Sequence, residues 1–190
     1  MPNVADKSRL MTAEQFRVCE SLPEYCELVK GEVAEMNRPS PRYGEICLEL
    51  GSIIRNYCKK HDCGRAVCND SGIIVQRSPD TVRGPDIAFY SFTRVPKGPL
   101  PDEYFDTTPN IVFEVLSKTD RWATTLIKIG EYLGADVEVV CIIDPEQQTA
   151  RQTARLFRSD KSDITFTEDE SLTIPELHKD FALTVREIFA

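Results

Sequence analysis

The chain has 190 residues, 41% of them hydrophobic and 28% charged, enough for one soluble domain with a real core, and it contains no apolar run long enough to span a bilayer. A formal net charge of −8 argues against a general nucleic-acid coat protein, although the acidity is concentrated in the tail, where eight acids face three bases between Asp160 and Ala190. The first residues lack the apolar core of a secretory signal, so a cytoplasmic location is expected.

Residues 1–11 read as a flexible lead and residues 12–190 as a single domain. Thr12 and Gln15 have the spacing of a capping box, which predicts a short helix to about Ser21, ended by Pro23. YCELV and EVAEM flank Lys30-Gly31 and predict a β-hairpin. Pro39 and Pro41 break the chain again. From about Tyr43 to Lys60 the residues Ile46, Leu50, Ile53, Ile54 and Tyr57 form a helical stripe, with Glu45, Glu49, Arg55 and Lys59 on the opposite face. RAVCND and GIIVQ read as strands, SPDTVRGP as a turn-rich connection, and DIAFY as a strand opened by Asp86. Ser91 to Pro109 is a Pro-rich loop, long enough to suggest function or an interface. IVFEVL, from Ile111, predicts a buried strand. The helix after it starts near Thr119 or Asp120, carries Lys128 and closes near Gly134. VEVVCIID is a further strand. QTAR then occurs twice, Gln148 to Arg151 and Gln152 to Arg155. An insertion of four keeps strand phase, so the repeat reads as a lengthened hairpin. A strand near Ile164 to Phe166, the segment LTIPEL and a short helix from about Thr184 complete the chain. The order predicts a mixed α/β or α+β domain with one central sheet.

The seven cysteines are scattered, and the cluster Cys58, His61, Cys63 and Cys68 lacks a paired C-x2-C spacing, so reduced thiols without zinc are expected. There is no Gly-rich phosphate loop, no H-E-x-x-H and no G-x-S-x-G, and with only His61 and His178 a triad hydrolase has little support. Glu114 is the conspicuous residue, because a carboxylate inside an apolar strand is costly unless a cation or donors meet it. The strand runs roughly 10 Å past Glu114, and Lys128 lies roughly 12 Å along the helix from Asp120, so a helix that folds back returns Lys128 to the level of Glu114. Asp86 and Glu114 could hold one Mg²⁺ with waters, while Lys128 orients or deprotonates a water or pairs with a phosphate. The plainer alternatives are a Pro-Asp turn, a solvated helix lysine, and a structural Glu114–Lys128 ion pair.

The segments ELVKGE (Glu27 to Glu32), PSPRYG (Pro39 to Gly44), RGPDIAF (Arg83 to Phe89), FEVLSKTD (Phe113 to Asp120), KIGEYLGADV (Lys128 to Val137) and IIDPE (Ile142 to Glu146) resemble, in order, the Uma-type family of restriction-endonuclease-like proteins within the PD-(D/E)XK nuclease superfamily. The resemblance implies a restriction-endonuclease-like central mixed sheet flanked by helices. It further implies DNA phosphodiester hydrolysis with Mg²⁺ or Mn²⁺, metal carboxylates Asp86 and Glu114, and catalytic Asp86, Glu114 and Lys128. In the usual superfamily motif the lysine follows the glutamate by two residues. That position is Leu116 here, and the family moves the lysine to the following helix, to Lys128, with Lys118 a weaker substitute. Glu45 could be the accessory acid that some superfamily members carry on this helix, although a solvated helix face is the better explanation. Many relatives carry His where this chain has Tyr43, and SPS or SPSD where it has Ser117 to Asp120. Cleavage of both strands would favour a homodimer. The competing reading is a non-catalytic DNA-binding or protein-interaction module that keeps the fold, which the acidic charge favours. A transposon-associated or regulatory protein without cleavage is a third.

Overall fold

A computed structural model describes residues 10–145 and 151–190 of the chain. The first helix, α1 (Ala13–Val18), starts at the expected capping box, with the Thr12 and Gln15 side chains each accepting the other's backbone N–H. It stops at Val18, short of Ser21. The hairpin follows as β1 (Cys26–Val29) and β2 (Glu32–Glu35). Lys30 and Gly31 both have positive φ, 52° and 80°, as a two-residue turn matched to strand twist requires. The Met11 N–H donates to the Gly31 carbonyl at 2.8 Å.

The long helix α2 (Pro41–His61) begins two residues before the apolar stripe. Pro41 belongs to its first turn, where a missing N–H costs nothing, and Ser40 caps it. Beyond it come β3 (Gly64–Cys68), β4 (Ile73–Gln76), β5 (Thr81–Arg83), β6 (Ile87–Ser91) and β7 (Ile111–Val115). Then follow α3 (Trp122–Gly134), β8 (Val139–Pro145), β9 (Gln152–Phe157), β10 (Ile164–Thr167), β11 (Ser171–Thr173), β12 (Ala182–Thr184) and a 3₁₀ turn, Val185–Phe189. Among the described residues no helix is long and apolar enough to cross a membrane.

The central sheet has six strands in the order β10-β9-β8-β7-β6-β3. It is mixed: β7 and β8 are parallel, joined by α3 as a crossover, and the other pairs are antiparallel. Period-two alternation divides β7 between two cores. Ile111, Phe113 and Val115 pack with Leu50 and Ile54 of α2 and with Leu172, Phe181 and Ile188 of the tail. Val112 faces Ile129 and Tyr132 of α3, and Glu114 shares its phase. Each fully buried aliphatic side chain contributes about 1.5–3 kcal/mol, and this two-sided burial fixes the register that positions the acids.

Two further local expectations are corrected. SPDTVRGP is not only a connection: Thr81–Arg83 forms β5, which joins β1 and β4 in a second, four-stranded sheet, β2-β1-β5-β4. Three residues between turn formers are too few to display alternation. The sheets therefore number three among the described residues, with β11-β12 the smallest. Helix α3 starts at Trp122, because the Asp120 carboxylate accepts the Ser117 N–H at 2.6 Å and closes a turn ahead of it. The second QTAR lies in β9, paired antiparallel with β8, whereas Gln148 to Ala150 fall outside the described residues, as do residues 1–9.

Candidate active site

Strands β6 and β7 pair Ile87 with Phe113. One further step of that register sets Asp86 opposite Glu114, and directly opposed residues have Cβ atoms about 5 Å apart. Asp86 is 7% exposed. Its Oδ2 accepts the Val115 N–H at 2.6 Å, and its Oδ1 accepts the Tyr43 hydroxyl from the first turn of α2. Glu114 Oε1 accepts the Tyr132 hydroxyl at 2.7 Å and stands 3.8 Å from Lys128 Nζ. Its Oε2 accepts no hydrogen bond among the described residues. Burial raises the pKa of both carboxyls above the ordinary carboxylate range; the Lys128 charge opposes the rise at Glu114, and Asp86 adds to it.

The strand and helix lengths thus return Lys128 to Glu114, as the sequence predicts. The lysine lies closer, however, to an acid with no role in the sequence reading. Lys128 Nζ is 3.0 Å from Glu27 Oε1, on β1. Glu27 Oε2 binds Arg83 of β5 at 2.6 Å, and Arg83 also binds Glu131 of α3 at 2.6 Å. Burial alone would raise Glu27, but Lys128 and Arg83 outweigh it and hold the carboxyl below its usual range. At Lys128 burial works against the charge, and Glu114 and Glu27 outweigh it, so the ammonium titrates above an ordinary lysine. The signal that marks Glu114, an acid within an apolar strand, was also present at Glu27 in CELV. Its partner Arg83 was hidden in the segment read as a turn.

Asp70, in the β3–β4 turn, packs against Gly84. A Cβ on Gly84 would lie 2.8 Å from Asp70 Cβ, so glycine is needed where the chain enters Asp86. Burial raises the Asp70 carboxyl, with Lys128 opposing. The other candidates lie apart. Lys118 is exposed, and Glu45 is exposed on α2, beside a different hollow lined by Arg42, Gln152 and Ile188. Among the described residues Cys58, His61, Cys63 and Cys68 do not converge on one ion position, the seven cysteines form no disulfide, and His61 stacks on Tyr57 with ring centroids 4.1 Å apart.

A cleft of about 70 Å³ opens beside Glu114 and Lys128, with Asp120 and Thr124 on its rim; it has room for waters. Among the described residues no three His, Cys, Asp or Glu side chains converge on one ion position. Two opposed carboxylates with one unengaged oxygen are hard-donor ligands. They suit Mg²⁺ or Mn²⁺, which accept one or two carboxylates and complete the shell with water.

The Uma2 family model, described as "Putative restriction endonuclease", matches residues 13–186. Among solved structures, a crystal structure of a "putative nuclease" from Anabaena variabilis superposes with a TM-score of 0.77 at 21% identity, over 94% of this chain and 97% of that one. At that identity the likeness is one of fold, and it agrees with the expected mixed central sheet. None of the curated proteins matches the chain.

Proposed function

We propose, from the premise that the chain belongs to the Uma2 family, that it is a metal-dependent endonuclease which hydrolyses DNA phosphodiester bonds at Asp86, Glu114 and Lys128. The observation that carries this reading is that Asp86, one residue before the β6–β7 pairing begins, lies next to Glu114, whose carboxylate stands 3.8 Å from Lys128 Nζ. Asp86 and Glu114 would hold Mg²⁺ or Mn²⁺, which when bound lowers the pKa of a coordinated water and offsets charge on the phosphate. Tyr43 and the Val115 N–H fix the Asp86 carboxylate, and Tyr132 fixes that of Glu114. Lys128, held between Glu27 and Glu114, would stabilise developing negative charge on the phosphate oxygens or orient the attacking water. A twofold pair of chains would present one such site to each strand of a duplex.

The test is incubation of supercoiled plasmid with the purified chain and Mg²⁺, Mn²⁺ or EDTA. Nicked or linear product with either metal, absent with EDTA and in Glu114→Ala, is the expected result. The net charge of −8 favours a second reading, a module that binds without cutting. Intact plasmid under every metal condition would select it.

A further inference from the structure

The lysine of this site is carried on a helix, so four side-chain torsions separate its ammonium from a fixed backbone. Something must hold it, and Glu114 is poorly suited to do so. Its Oε1 already accepts the Tyr132 hydroxyl, and the ammonium stands 3.8 Å away. Glu27 is better placed. Its Oε1 is 3.0 Å from Lys128 Nζ and also accepts the Gly84 N–H at 3.2 Å, while Oε2 is locked to Arg83 at 2.6 Å. Arg83 is itself tethered to Glu131, one turn beyond Lys128 on the same helix. The side chains of Glu27 and Arg83 are 5% and 7% exposed, so solvent does little to loosen the array.

We propose that Glu27 is a positioning residue: braced by Arg83, it sets where the Lys128 ammonium stands relative to Glu114 and hence to the phosphate under attack. The catalytic half of this inference rests on the nuclease reading; the positional half rests on the ion-pair geometry alone. The four-stranded sheet thereby acquires a task. It delivers Glu27 and Arg83 on adjacent strands to a helix whose lysine the central sheet meets only through Glu114, at 3.8 Å.

The experiment uses the full chain, with Glu27→Gln as the principal variant. Glutamine keeps the shape and an oxygen for the Gly84 N–H but removes the charge. Nitrogen-15 NMR of the lysine ammonium groups should show a slowly exchanging Lys128 signal in the parent, assigned by its disappearance in Lys128→Arg and lost in Glu27→Gln. A signal unchanged in Glu27→Gln overturns the proposal. In single-turnover plasmid cleavage with Mn²⁺, Glu27→Gln should be slower by about 100-fold, the loss expected of a misplaced catalytic group. Its Mn²⁺ dependence should stay within about twofold of the parent. Adding Glu27→Gln to Lys128→Ala should cost no further rate, whereas a full additional loss would show that Glu27 acts other than through Lys128 and would overturn the proposal. Circular dichroism checks that each variant is folded. Should Glu27→Gln unfold, Glu27→Asp, which keeps the charge and withdraws it by one methylene, should weaken the ammonium signal and slow cleavage together. A parent chain that does not cleave refutes the nuclease reading, while the ammonium signal still decides the positional claim.

Discussion

Lys128 is the residue whose removal separates structure from chemistry most cleanly. It stands between Glu27 and Glu114, so Lys128→Ala should lower stability by roughly 3 kcal/mol, as breaking a buried pair does, and should also slow plasmid cleavage to a small residual rate. Lys118→Ala, on an exposed side chain, should change stability by less than roughly 0.5 kcal/mol. Denaturant melts and cleavage rates on the same preparations check both outcomes. The acids make a pH prediction whose sign follows from their shifts. Asp86 and Glu114 are raised by burial, so their contribution to stability is present at low pH and is lost as pH rises through their folded pKa values. Glu27 is lowered by Lys128 and Arg83 once burial is overcome; its contribution is present above the ordinary carboxylate range and is lost on acidification. A cation at Asp86 and Glu114 displaces protons, so the rise in Tm on adding Mn²⁺ should be larger at pH 8 than at pH 5. Melts at the two pH values test this, and an equal shift would place the metal elsewhere. The approach of Lys128 to Glu114 was legible in the sequence because an acid in an apolar strand demands a partner and because strand and helix rises are fixed lengths. Glu27 was not, since its partners lie 56 and 101 positions away on elements whose pairing no local pattern reveals.

Among elements, the long helix, the central strands and the crossover were readable from period and punctuation. Strand β5 was not, because its three residues sit between turn formers and gain strand geometry only by pairing with β1 and β4. The Pro-rich segment between β6 and β7 was read correctly as a loop, and Arg94 shows how it is secured. Its guanidinium donates to the carbonyls of Thr108, Pro109 and Asp136 and to the Glu138 carboxylate at 2.8–3.3 Å. One side chain thus ties both ends of the loop to the α3–β8 turn. Arg94→Ala leaves partly buried carbonyls without their donor and should cost roughly 1–3 kcal/mol. Limited proteolysis should then cut between Phe92 and Pro109 faster than in the parent. An unchanged cleavage map would show that Arg94 is not what holds the loop.

For the whole molecule, charge sets the terms of any encounter with DNA. At −8 the chain gains little from general phosphate attraction, so affinity without a divalent cation should fall in or below the nonspecific range, a Kd of about 10⁻⁴ M or weaker at physiological salt. Fluorescence anisotropy with a labelled duplex, in EDTA and then in Ca²⁺ as a metal that permits binding, should show binding only in the second. Equal binding in both would point to a basic surface that the net charge conceals. Sedimentation on the same sample reports whether two chains share the duplex. The spread of the site along the chain has a consequence for synthesis. Residues 27, 83, 86 and 114 all leave the ribosome before residue 128, and they come from both larger sheets. A polypeptide released before α3 has emerged carries every acid of the site and lacks its lysine. On the proposed assignment, a chain terminated before α3 would lack the lysine and should not cut DNA.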